Sequence, residues 1–108
     1  MSYLTHAILA FSLNCDDNDG SESLLALAVI NDRISPLANG QRFNLMNTEN
    51  VGGGKVWCYV NAAACFNYFS IRQIKEALDG VTQELDRCDE LTLVAEDEEC
   101  DWEVHKIT

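Results

Sequence analysis

Ten of the eighteen acidic residues fall between positions 84 and 103, against a single base, Arg87. Carboxylates spaced along a hairpin imitate the phosphate spacing of a nucleic-acid backbone, and a basic groove accepts either. Glu96, Asp97, Glu98, Glu99, Asp101 and Glu103, with Asp89 and Glu90, are therefore the candidate partner-binding residues. The partner they predict is a basic protein surface of the kind that binds nucleic acid. The competing explanation is a solvated edge hairpin whose like charges block edge-to-edge aggregation.

A second candidate is Gly52-Gly53-Gly54-Lys55. Three glycines allow successive backbone N–H groups to converge on an anion, and the lysine adds a charge. This would suit a nucleotide-like ligand, provided that Arg33, Arg42 and Arg72 gather beside Lys55. It is not a Walker A loop, because the Gly-x-x-x-x-Gly-Lys spacing is absent and a strand follows. The turn Asp16-Asp17-Asn18-Asp19-Gly20 fails as a calcium loop, since Cys15 and Ala26 occupy ligand positions.

Five cysteines (Cys15, Cys58, Cys65, Cys88 and Cys100) form no Cys-x-x-Cys pair, and the two histidines are His6 and His105. No metal site and no cofactor are expected. Cys58 and Cys65 lie in apolar surroundings and are expected in the core. A thiol enzyme pairing Cys65 with His6 is the least favoured alternative; a non-catalytic protein is expected.

The formal net charge of −11 over 108 residues argues against direct contact with nucleic acid or an anionic membrane. Free thiols, no basic leader region and no apolar run near the ~20 residues of a membrane span predict a cytoplasmic protein.

The elements that must position these residues can be read from periodicity. The chain predicts one domain over 1–108, with hydrophobic residues at 47%. Residues 3–13 alternate, with Phe11 on the buried side. A helix to about Ile34 carries Leu24, Leu27, Ile30 and Ile34 on one stripe, capped by Asp19, Ser21 or Ser23, and Ser35-Pro36 ends it. Strands follow over 41–46 and 55–62, the second apolar on both faces. The 47–54 and 63–69 segments read as connections. Ser70 with Gln73 is a capping box for a helix from Ile71, with Ile74 and Leu78 inward and a break at Gly80. Strands over 91–95 and 102–107 complete the order, joined by the acidic link 96–101. The fold class expected is α+β: a ferredoxin-like β-α-β-β-α-β with an added C-terminal strand, its antiparallel sheet carrying both helices on one face. The aromatic residues Trp57, Tyr59, Phe66, Tyr68 and Phe69 would build the core and its rim, and any exposed remainder would suit a homo-oligomer.

At Gly52-Gly53-Gly54-Lys55, Ala64-Cys65-Phe66-Asn67-Tyr68-Phe69 and the following helix, the chain resembles small acidic proteins of bacterial and phage genomes. The resemblance implies a compact α+β domain and a mobile-element setting, and transfers no catalytic residue. With the acidic hairpin, it suggests an inhibitor of the anti-defence kind carried by phage.

Overall fold

The computed structural model describes residues 3–15, 19–51, 57–85 and 87–107. In chain order these form β1 (Leu4–Leu13), α1 (Ser21–Ile34), β2 (Asn44–Val51), β3 (Trp57–Asn67), α2 (Ile71–Leu78), a 3-10 turn (Val81–Gln83), β4 (Cys88–Asp97) and β5 (Glu103–Ile107). The five strands make one antiparallel sheet in the order β2-β3-β1-β4-β5. The architecture is α+β, with two helices.

Alternation along β1 decides which face is buried. Thr5, Ala7, Leu9, Phe11 and Leu13 are inside, while His6 and Ile8 are exposed. Register carries the same face outward, pairing Leu9 with Ala62 on β3 and with Leu93 on β4. Phe43, Phe66 and Phe69 close one end of the core through edge-on ring contacts of 5.2 and 5.4 Å.

α1 buries Ser23, Ala26, Leu27, Ile30 and Ile34. Leu24, expected on that stripe, is exposed with Leu25. The reason is steric: Ser23 takes the inward position, its Oγ 3.6 Å from the Cys58 Sγ, and a small side chain lets the helix approach the sheet. The helix N-cap is Gly20, in the left-handed conformation and without a side-chain bond. Asp19 contributes one residue earlier, accepting from the Ser21 amide and hydroxyl at 3.0 and 2.7 Å. These bonds hold the Asp19 carboxyl below its ordinary range.

Two segments expected as connections are strand. β2 runs through Val51 and β3 through Asn67. The two apolar faces of β3 fit an interior strand, paired with β2 and β1, rather than one covered on both sides: Tyr59 is exposed, and Cys58, Val60, Ala62 and Phe66 are buried. β2 is exposed along its whole length, an edge strand interrupted by an irregularity at Met46. Asn44, Asn47, Glu49 and Asn50 make such an edge a poor template for further pairing.

α2 starts as its sequence dictates. Ser70 Oγ accepts from the Gln73 amide at 3.2 Å, and Gln73 Oε1 accepts from the Ser70 amide at 2.8 Å. Replacing Ser70 by Ala is expected to cost about 1 kcal/mol in urea unfolding, because one orphan helix donor loses its acceptor. Arg33 joins α1 to the far end of α2, donating to the carbonyls of Ala77 and Asp79 and to Glu84.

No helix is long and apolar enough to cross a membrane among the described residues.

Candidate functional site: a groove between α2 and the acidic hairpin

β4 and β5 pair from Leu91↔Ile107 to Ala95↔Glu103, so the chain reverses over 98–102. The tip of this hairpin stands beside the exposed side of α2. Between them lies an open groove of about 620 Å³. Arg72, Lys75, Glu76 and Asp79 line the helix wall; Asp97, Glu99, Cys100, Glu103 and His105 line the hairpin wall; Tyr3, Ser70 and Ile71 contribute the rest. Five carboxylates thus face two cations. Arg72 is already engaged, its Nε 3.1 Å from Glu76 Oε1 at helical i,i+4 spacing.

Asp97 is the groove's structural member. Its carboxylate accepts from the amides of Glu99 and Cys100 at 2.9 and 2.8 Å, and the Tyr3 hydroxyl and the Ile71 amide lie close enough to favour its charge. Its own amide donates to the Cys100 carbonyl at 2.9 Å. One side chain therefore ties the start of β1, the first turn of α2 and the hairpin reversal together. Desolvation pushes the Asp97 carboxyl up, but Tyr3 and the three amides outweigh it and leave it below the usual range. The same contact, with Asp97's charge, pushes the Tyr3 hydroxyl up to about 12.

The remaining sequence candidates separate by role. Glu98, Glu99 and Asp101 are exposed, and no described residue pairs with their carboxylates. Glu103 Oε2 lies 3.5 Å from the buried His105 Nε2, an ion-pair distance without hydrogen-bond alignment. Glu96 lies on the other side of the hairpin, its Oε1 3.2 Å from His6 Nδ1. Asp89 and Glu90 sit at the opposite end of β4, about 25 Å from the tip at ~3.3 Å per residue, and do not join the groove. The sequence offers Arg72 only as a possible neighbour of Lys55, and gives no sign that Lys75, His105 and Tyr3 belong to a site. Only the meeting of α2 with the hairpin reveals them.

Gly52-Gly53-Gly54-Lys55 lies outside the described residues, as do Asp16 and Asp17. Of the bases that would have to gather beside Lys55, Arg33 is bound at the C-terminal end of α2 and Arg72 at its N-terminal end.

Cys65 is exposed, contrary to its expected core position, because β3 continues through it and places it on the open face of the sheet; Cys58 alone is fully buried. His6 is paired in register with Cys65 on β3 and with Glu96 on β4. Burial, aided by Asp89, pushes the Cys88 thiol up to about 11. Desolvation, then the charges of Glu103, Asp97, Glu99 and Asp101, raise Cys100. Cys65 is therefore expected to be the first thiol alkylated at pH 8, followed by peptide mass mapping. Among the described residues, no group of three or more His, Cys, Asp or Glu side chains is arranged to hold a metal ion.

No protein-family model, curated protein or solved structure matches the chain.

Proposed function

We propose that this is a non-catalytic binding protein whose acidic hairpin and adjoining groove receive a basic segment of a protein partner. The observation that carries the reading is the groove itself, where Glu76, Asp79, Asp97, Glu99 and Glu103 outnumber Arg72 and Lys75. Glu98 and Asp101 extend the negative field at the exposed tip. A lysine or arginine side chain entering the groove would meet the unpaired Glu99 carboxylate, with Glu98 and Asp101 nearby at the tip, while its apolar stem lies along Ile71 and Tyr3. Basic segments of this kind are typical of surfaces that bind nucleic acid, which supports the mimic reading and an inhibitory role. The strand order, read from the other edge as β5-β4-β1-β3-β2, supports a ferredoxin-like framework with β5 as the added strand.

An arginine-rich peptide is the direct probe. Its affinity, measured by fluorescence anisotropy, is expected to fall at least tenfold between about 50 and 500 mM salt, because screening weakens the attraction. A peptide that fails to bind at low salt would remove the reading.

A second reading rests on the row Cys65–His6–Glu96. Glu96 holds His6 Nδ1, and the register sets His6 beside the exposed Cys65 with no hydrogen bond between them; a turn of either side chain would bring the thiol to the free ring nitrogen, the arrangement of an assisted nucleophile. His6→Ala is then expected to slow Cys65 alkylation at pH 8 several-fold; an unchanged rate would leave Cys65 an ordinary surface thiol.

A further inference from the structure

The helices cover one face of the sheet; the other is open. Its central row carries no charge, while the rows beside it hold His6 and Glu96 on one side and Lys106 on the other. Ala63, Ile8, Val94 and Val104 lie side by side across β3, β1, β4 and β5. The next row is Asn61, Ala10, Thr92 and Lys106, and beyond it stand Tyr59, Ser12 and Glu90. Ile8 is 40%, Tyr59 50% and Val104 70% exposed. Apolar side chains adjoining across four strands are more than the scattered exposure ordinary for a monomer surface.

We infer that this open face is the interface of a homodimer, two copies stacking sheet on sheet. Three features point to a second copy rather than another occupant. The first is symmetry. β1 is the middle strand of five, so a two-fold axis parallel to it lays β1 over β1, β3 over β4 and β2 over β5. An interface of this type must be self-complementary.

The second is what the axis superimposes. Val94 of one copy meets Ala63 of the other, large on small, and Ile8 meets its own counterpart. Glu90 comes over Tyr59, whose hydroxyl can donate to it. Lys106 on β5 comes over β2 at the level of Asn47, one pair from Glu49 and within a lysine's reach of it. The face thus carries its cation on one edge strand and an anion on the other. Most of the chain's acids lie elsewhere, on the hairpin tip and the helices, so the net charge of −11 does not concentrate here.

The third is area. Strands of five to eleven residues, five across at ~4.8 Å spacing and ~3.4 Å per residue, present roughly 700 Å². That approaches the ~800 Å² per partner of a stable interface. Aligned sheet packing at about 30° keeps the central rows in contact.

Sedimentation velocity from about 1 to 200 µM tests this, with circular dichroism confirming that each variant is folded. The wild type is expected to move to twice the monomer mass as concentration rises. Ile8→Asp places two like charges at the axis, and is expected to weaken association at least 100-fold. Lys106→Glu is expected to weaken it about fivefold, and Lys106→Glu with Glu49→Lys to restore it. Because these last two positions are exposed edge residues, their effect does not depend on how well the core tolerates a change. A wild-type protein monomeric at 200 µM would overturn the inference. So would a dimer that survives Ile8→Asp, which would place association elsewhere, for instance on the exposed Leu24 and Leu25 of α1.

Discussion

Asp97→Ala is expected to lower the unfolding midpoint by about 8 °C at pH 7, the largest stability loss of any substitution among the groove's acidic residues. The amides of Glu99 and Cys100 lose their acceptor at once, and the Tyr3 hydroxyl and the Ile71 amide lose the charge they face. Hydrogen bonds to a charged group are worth about 1.5–3 kcal/mol when well shielded, and solvent replaces part of them at this half-buried position. A net loss of about 2 kcal/mol, or about 8 °C for a domain of this size, follows. The pH dependence has a definite sign. The folded-state carboxyl is held below its unfolded value near 4, so the contribution is present above that value and is lost as pH falls through the folded one. Tyr3 behaves in the opposite sense. Its hydroxyl is raised to about 12, so its share is intact below about 10 and is lost as pH climbs from there. Calorimetry across pH 2–11 should therefore show an acid limb in the wild type that is shallower in Asp97→Ala.

Glu98→Gln, Glu99→Gln, Asp101→Asn and Glu103→Gln combined should reduce the affinity for an arginine-rich peptide by about 100-fold at low salt, while the midpoint moves by no more than a few degrees. Each exposed charge facing a basic ligand contributes on the order of 0.5–1 kcal/mol, and four such increments give about two orders of magnitude. The fold should survive because none of the four carboxylates accepts a hydrogen bond in the described structure, and Asp97, which does, is kept. Removing Asp89 and Glu90 instead should change the affinity by less than twofold, since β4 places them at the far end of the sheet. A uniformly acidic surface without a site would respond alike to both sets.

The difference between Asp97 and its neighbours could not be seen in the run Glu96-Asp97-Glu98-Glu99. All four are acids in one short stretch, and their roles diverge only when α2 and the start of β1 arrive beside the turn. Local signals carry further. The Ser70–Gln73 box, the break at Gly80 and the alternation of β1 each depend on residues a few positions apart, and each appears as expected. The ends of β2 and β3 were hidden for a physical reason. An edge strand exposed on both faces has no alternation to display, so Asn47 to Val51 read as a loop. The Ala63-Ala64-Cys65 stretch is small on both faces, which masked the inward Phe66 and the outward Cys65. Hydrophobicity places Leu24 on the inward side of α1, because it cannot tell that Ser23 takes the position facing Cys58 on the sheet.

The most direct measurement is an amide chemical-shift titration of the labelled protein with an arginine-rich peptide at low salt. Perturbations confined to residues 97–105 of the hairpin and 70–79 of α2, and abolished by the fourfold neutralisation, are the expected result. No perturbation there, or shifts centred on Asp89 and Glu90 or spread evenly over the acidic surface, would contradict a binding groove.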